Sequence, residues 1–319
     1  MRPSIKFGLA LILVMTILSA MPGGAKQIPL ASDPPSLSYI VPVSNSRDIS
    51  LSTDPEILDL AQGRSFAAPY GDLNPTLSIT INGILRVFGQ GRVLHLRLAN
   101  GRSIWVGTCH QLSYAMCFAE FGENSRSVRS GGGLPWIHVD AHSDALTGYG
   151  SRDPTLPPFN LADDWSKAAT WASTTLDPRT WLVAALRDGL VARLTQVLGI
   201  RQGERPLHIE PIQTTKPRII TDLVSVTYLE PSILDIDLDL FAKPSPSSLS
   251  GDWPASRDRL LRLAEACPVI MLCTSSETIV QSGEARYLEP GLALGMLGEL
   301  LTGLEGLPKV AGQWSDTGP

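Results

Sequence analysis

The chain is short of charge, of aromatic side chains and of cysteine. Charged residues make up 18% of its 319 residues and aromatic ones 6%, and the net charge of −5 leaves no basic excess. A basic face is the electrostatic footprint of nucleic-acid binding, so nucleic acid is not expected as a partner. The four cysteines, Cys109, Cys117, Cys267 and Cys273, show no Cys-x-x-Cys spacing, which argues against a thiolate zinc site. All four sit in apolar sequence, and buried free thiols are the expectation. A single bridge involving Cys109 or Cys273 is the alternative, because both neighbour candidate site residues.

Long hydrophobic runs are missing too, apart from one. Residues 7–21 are apolar, but the run is short for a membrane span. Arg2 and Lys6 precede it and Pro22-Gly23-Gly24-Ala25 follows. A basic start, a short apolar middle and a small-residue exit make a secretory signal peptide over residues 1–25. Export, to a periplasm or to the outside, is the expected localisation; an uncleaved N-terminal anchor is the alternative. No cysteine follows the run closely, so a lipid anchor has no support. Membrane contact is expected only through this segment, if it stays uncut.

Residues 26–75 are rich in Pro, Ser and Asp and lack periodicity, which reads as a tether or an extended lead-in wrapping the domain. The domain itself is expected over 76–319, and 43% hydrophobic residues suffice for a real core. It opens as β-hairpins. Leu77–Ile81 alternates, Asn82-Gly83 is a turn signal, and Ile84–Phe88 returns. Residues 93–98 and 103–106 repeat the pattern around Asn100-Gly101. Helix and strand signals then alternate: a helix over 110–121, a strand over 136–139, and helical signals over 161–198, with Asp177-Pro178 opening the helix that holds Trp181, Leu182 and Leu186. One or two strands follow within 204–232, then strand Ile233–Asp237, a helix over 256–266, strand Val269–Cys273 and a last helix over 288–304. This order predicts an α/β fold, a parallel sheet with helices on both faces. His95 and His208 read as surface residues. Trp165, Trp171 and Trp181 read as packing residues.

The apolar strands end in polar residues. Trp136-Ile137-His138-Val139-Asp140-Ala141-His142-Ser143-Asp144 alternates, and on a strand positions two apart share a face. Asp140, His142 and Asp144 then converge at one strand end. Asp235 and Asp237 end the next such stretch, and His110 and Glu277 follow two further strands. In open α/β sheets, ligands bind beyond the carboxyl ends of the strands. Oxygen and imidazole donors without a thiolate suit Mn²⁺ and, less exclusively, Zn²⁺ or Fe²⁺. An aspartate pair on one strand end can bridge two ions about 3.5–4 Å apart. A plain polar strand edge is the competing reading, but buried acids are costly without a cation. His138 shares the face of Asp140 and reads as a satisfied core histidine or one that supports a ligand. Glu277 reads equally well as an acid favoured at a helix N-terminus.

Asp140-Ala141-His142-Ser143-Asp144 resembles the Asp-Ala-His-x-Asp motif of the arginase (ureohydrolase) superfamily. Asp235-Ile236-Asp237 resembles its Asp-x-Asp motif, and Gly107-Thr108-Cys109-His110 its Gly-Gly-Asp-His segment. The string Leu234-Asp235-Ile236-Asp237-Leu238-Asp239-Leu240-Phe241, and residues 181–186 with Gly189-Leu190, look closer to one branch, the peptide arginases, which convert arginine side chains in peptides to ornithine. The resemblance runs from about His110 to the last helix. It implies a three-layer sandwich of the arginase/deacetylase type with a mainly parallel sheet, and two Mn²⁺ ions. One ion would be held by His110, Asp140, Asp144 and Asp235, the other by His142, Asp140, Asp235 and Asp237. Asp144 would also carry a proton to the leaving amine, and Glu277 would pair with the substrate guanidinium.

Departures from the motifs narrow the substrate. Ordinary arginases extend the second motif as Asp-x-Asp-x-x-Asp-Pro, where Leu240-Phe241 stand here. Residues 145–150 lack the Asn and Ser pattern that grips a free amino acid. Arginine within a peptide, or a small guanidino compound, is the expected substrate class. Two alternatives remain: a zinc-dependent deacetylase on the same fold, and a metal- or peptide-binding protein without catalysis. No signal bears on oligomeric state.

Overall fold

A computed structural model of the chain describes residues 48–60, 76–121, 132–140, 144, 167, 171–172, 176, 181–198, 218–220, 232–241, 253–275, 279–281, 284–286, 288 and 290–310. Its centre is one eight-stranded sheet. In spatial order the strands are β1 (Glu56–Asp59), β4 (Arg92–Arg97), β5 (Ser103–Gly107), β10 (Val269–Cys273), β9 (Ile233–Asp237), β6 (Leu134–Asp140), β7 (Val191–Leu198) and β8 (Arg218–Ile220). The pairings β1–β4 and β4–β5 are antiparallel, and every pairing from β5 to β8 is parallel. Beside this sheet, β2 (Leu77–Ile81) and β3 (Ile84–Phe88) form a hairpin, and β11 (Ile279–Gln281) pairs with β12 (Glu284–Arg286). The hairpin turn Asn82-Gly83 has φ of 52° and 74°, the mirror-image turn whose twist matches that of its strands.

The parallel strands read as continuous apolar runs because both of their faces are covered. Alternation sorts their side chains into two cores. Ile104, Val106, Ile137, Val139, Leu234 and Ile236 face one core, joined by Leu260 and Leu263 of α3 (Trp253–Ala264) and by the buried side of α4 (Pro290–Glu305). Trp105, Trp136, Ile233, Val269 and Met271 face the other, against α1 (Leu112–Phe121) and α2 (Trp181–Arg187). Helices on either side of one sheet make three layers, the mainly parallel α/β sandwich that the alternating elements predict.

Two local expectations change, and one gains detail. Helical signals are expected to continue through 198, but Val191–Leu198 is strand β7, parallel to β6. The chain leaves α2 through a Schellman turn: Leu190 N–H donates to Ala185 O, Gly189 N–H to Leu186 O, and Gly189 has φ 75°. Its β-branched residues then take the open edge of β6. The Pro/Ser-rich lead-in contributes β1, which pairs with β4. His95, expected at the surface, is buried on β4, where it stacks on Trp105 at 4.1 Å and meets Ser103 Oγ at 3.0 Å. All four cysteines are free and buried. Among the described residues, no helix is long and apolar enough to cross a membrane.

Candidate metal centre

On the face of the sheet that carries α1 and α2, each central strand starts apolar and ends polar. Along β6 the inward side chains run Trp136, His138, Asp140; along β9, Ile233, Asp235, Asp237; along β10, Met271 and Cys273, with Ser275 just past the strand. β5 ends at Gly107 and turns into α1, carrying His110. Strands β5, β10, β9 and β6 are adjacent and parallel, so these polar ends lie along one edge, where α/β sheets bind ligands.

Asp235 sits deepest and is fully buried. Its Oδ2 accepts from His110 Nε2 and from His138 Nδ1, each at 2.7 Å, and its Oδ1 accepts from Ser113 Oγ at 2.8 Å. The second contact follows from register, because His138 lies opposite Asp235 on the neighbouring strand. With one nitrogen of each ring tied to Asp235, the other nitrogens face away from it. His110 Nδ1 stands 2.8 Å from Asp144 Oδ2, 3.0 Å from Asp140 Oδ2 and 3.2 Å from Asp237 Oδ2. None of these contacts has hydrogen-bond geometry, so a buried nitrogen is surrounded by carboxylates but bonded to none. His138 Nε2 is likewise buried without a hydrogen bond, 3.4 Å from Asp140 Oδ2.

The carboxylates are held from outside. Trp181 Nε1 donates to Asp144 Oδ2 at 2.7 Å, Ser275 Oγ donates to Asp237 Oδ2 at 2.6 Å, and the Asp239 backbone N–H donates to Asp237 Oδ1 at 3.0 Å. Two residues here have a left-handed backbone, Asp144 (φ 46°) and Ser275 (φ 25°), and such strain concentrates at functional sites. His110, His138 and Asp140 each offer a ligand atom within 4.8 Å of the others, and so do Asp140, Asp237 and Asp239. Asp140 belongs to both groups.

Charge balance explains why a cation fits. Asp140, Asp144, Asp235 and Asp237 are buried with two imidazoles. Burial alone would lower the His110 pKa, but Asp235, Asp144 and Asp140 outweigh it and hold the ring well above its ordinary value. His138 is raised in the same way, chiefly through Asp235. Burial would raise Asp235, yet the two imidazoles bring it down to about 2. Asp144 is pushed up to about 6 by burial and the Asp140 charge, against His110. Asp237 is raised too, by burial first and by Asp140. Even with both rings charged, four carboxylates leave negative charge uncompensated, a costly state in a buried site. Protons or divalent ions relieve it, and imidazole plus carboxylate donors are the set that Mn²⁺, Zn²⁺ and Fe²⁺ accept.

Of the residues singled out from sequence, His110, Asp140, Asp144, Asp235 and Asp237 come together. His142 and Glu277 lie outside the described residues. Sequence reasoning undervalued His138, although its position two before Asp140 on one strand face was a readable signal. It gave no sign of Ser113, Ser275 or the Trp181 indole N–H, whose contacts cross the chain.

No protein-family model matches the chain, and no curated protein matches it in sequence. Several solved structures are similar, among them these two. Proclavaminate amidino hydrolase from Streptomyces clavuligerus shares 17% identity, over 63% of this chain and 64% of that one, with a TM-score of 0.37. Formimidoylglutamase from Bacillus subtilis subsp. subtilis str. 168 shares 16%, over 64% of this chain and 61% of that one, with a TM-score of 0.36. The chain thus spans less than two thirds of either structure's length. Likenesses this loose fix neither family nor reaction; the fold follows from the sheet described above.

Proposed function

We propose that the chain is a metal-dependent C–N hydrolase acting on a guanidino group, with arginine side chains in peptides as substrate and ornithine side chains plus urea as products. The observation that supports this is the His110 Nδ1 atom, buried and unbonded among three carboxylates at 2.8–3.2 Å. A nitrogen so placed is a ligand for a cation. Asp140, shared by two ligand groups, favours a pair of ions, for which Mn²⁺ is the first choice.

His110, Asp140, Asp144 and Asp237 would hold the ions, and the resemblance adds His142; Asp235, a ligand by the resemblance, has its oxygens taken by His110, His138 and Ser113. Divalent ions there would polarise the substrate and make water nucleophilic near neutral pH. Asp144, whose carboxylate lies 2.8 Å from His110 Nδ1, would accept a proton and pass it to the leaving amine, the role of a general acid–base group. Glu277 would pair with the guanidinium, whose charge never titrates away. The missing Asp-Pro after Asp239 and the sequence of 145–150 favour peptide-borne over free arginine. We read residues 1–25 as an export signal, tested by N-terminal sequencing of the mature chain.

The test is urea release by the full chain with Mn²⁺, from arginine-containing peptides and from free arginine. Urea from peptides alone is the expected result. No urea from a metal-loaded chain would sink the reading. Acetate release from acetyl-lysine peptides with Zn²⁺ would then mark a deacetylase, and silence in both assays a binding protein.

A further inference from the structure

We infer that His138 is a metal ligand of this centre, and that Asp235 stands behind His138 and His110 as the carboxylate that orients both rings. The inference rests on the metal-centre reading above and goes beyond its ligand set. The two imidazoles are built as a pair. Their rings stack at 5.1 Å with 21° between planes. Each gives one nitrogen to the same oxygen, Asp235 Oδ2, at 2.7 Å. Each is left with a buried nitrogen, His110 Nδ1 and His138 Nε2, that makes no hydrogen bond. Both of these nitrogens face Asp140 Oδ2, at 3.0 and 3.4 Å.

Such an arrangement has a known physical use. A metal-binding imidazole commonly donates its far N–H to a carboxylate, which fixes the tautomer and makes the near nitrogen a better donor to the metal. Asp235 does this for two rings at once. Its other oxygen is taken by Ser113, so its polar capacity is turned toward the protein. A core histidine kept only for packing would need no second polar partner, and burying a bare nitrogen costs free energy. Trp181 packs on both rings, at 5.1 and 5.8 Å, which holds them in place. His110, His138 and Asp140 then form an imidazole-rich position, and Asp140, Asp237 and Asp239 an all-oxygen one. The two ions would differ in chemistry: softer Zn²⁺- or Fe²⁺-like preference at the first, harder Mn²⁺- or Mg²⁺-like preference at the second.

The test uses the full chain, stripped of metal, with His138→Asn and Asp235→Asn. In His138→Asn the shorter amide can still reach Asp235 but places nothing where Nε2 stood. Binding is read by calorimetric titration with Mn²⁺ and by the visible bands of the Co²⁺-loaded chain. His138→Asn is expected to lose one ion and to alter the Co²⁺ bands. Asp235→Asn is expected to keep both ions and the bands, with affinity about ten- to a hundredfold weaker. Wild-type stoichiometry and bands in His138→Asn would overturn His138 as a ligand. Loss of both ions in Asp235→Asn would make Asp235 a ligand and overturn its orienting role. A wild-type chain that binds neither Mn²⁺ nor Co²⁺ would instead remove the metal-centre reading itself. Should His138→Asn not fold, His138→Gln replaces it: its longer amide reaches the Nε2 position, so both ions should bind with shifted Co²⁺ bands, and unshifted bands overturn the inference.

Discussion

The Trp181 indole donates a 2.7 Å hydrogen bond to Asp144 Oδ2, and Asp144 has a left-handed backbone with φ 46°. A left-handed non-glycine residue costs about 1–3 kcal/mol unless its surroundings over-determine it. Here a helix-borne indole grips its carboxylate, with His110 Nδ1 at 2.8 Å. Trp181→Phe keeps an aromatic ring against Trp136 and His110 but removes the donor. Activity is expected to fall about ten- to a hundredfold, the usual cost of losing a group that orients a ligand. The loss should appear in kcat more than in KM, because on the proposed reading Asp144 would carry the proton and not bind the substrate. Steady-state kinetics on a peptide substrate would check this, and an unchanged kcat would take Trp181 out of the mechanism.

Asp140→Asn separates metal binding from folding. Asp140 is the residue shared by both ligand groups, so the variant should bind neither ion tightly and show no turnover. Its metal-free fold should persist, because removing the Asp140 charge relieves repulsion with Asp144 and Asp237 while giving up attraction to His110 and His138. Mn²⁺ should therefore stabilise the wild type only, by about 2.7 kcal/mol for each bound ion at a hundred times its Kd, and so raise its melting temperature. Thermal melts with and without Mn²⁺ decide it. A Mn²⁺-dependent rise in the variant would contradict the assignment.

What could be read from the sequence was whatever repeats at short range. Alternating apolar runs marked β5, β6, β9 and β10, and the polar ends of β6 and β9 marked Asp140, Asp235 and Asp237. What could not be read depends on neighbours. Val191–Leu198 carries apolar residues at 191, 194 and 197, a spacing that imitates a helix until the edge of β6 accepts it as a strand. His95 looks exposed along its own strand but is covered because β4 lies between β1 and β5. The contact of His138 with Asp235 spans 97 residues and exists only through the β6–β9 register. The Trp181 bond to Asp144 spans 37 and needs α2 packed on the sheet.

Arg102 ties two helix ends to the sheet. Its side chain is buried and donates to three backbone carbonyls: Ala264 and Glu265, at the end of α3, and Pro308, beyond α4. Asn100 Nδ2 adds a bond to Leu304 O at 2.7 Å. Terminal helix carbonyls have no partner within the helix, and these donors satisfy them, the Ala264 and Leu304 carbonyls in buried positions. Arg102→Met keeps much of the volume and removes every donor. The orphaned Ala264 carbonyl is buried and costs about 1–3 kcal/mol, while Glu265 and Pro308 are exposed to water, so denaturant unfolding should show a loss of about 1–3 kcal/mol. Arg102→Lys, without the planar fork, should recover only part of it. A Met variant as stable as the wild type would show that water replaces the clamp.

Glu120 gives a pH dependence away from the metal centre. Burial alone would raise its pKa, but His95 at 3.7 Å, the hydrogen bonds from Ser103 and Trp105, and the Arg97 charge bring it below the ordinary value. Ser103 Oγ and Trp105 Nε1 both donate to its Oε2, at 2.5 and 2.8 Å. A carboxyl group depressed in the folded state stabilises the fold only while ionised. That contribution is complete above the unfolded value, about 4.3, and is lost as pH falls from there through the folded pKa. Glu120→Gln keeps an acceptor oxygen but not the charge, so it should be less stable than wild type at neutral pH. The gap between the two proteins should close as the solution is acidified below about pH 4. Other carboxyls titrate in the same range, which is why the difference between the proteins, and not either curve alone, carries the test. Denaturant unfolding of both across that range is the measurement, and a gap independent of pH would mean that Glu120 acts by shape and not by charge.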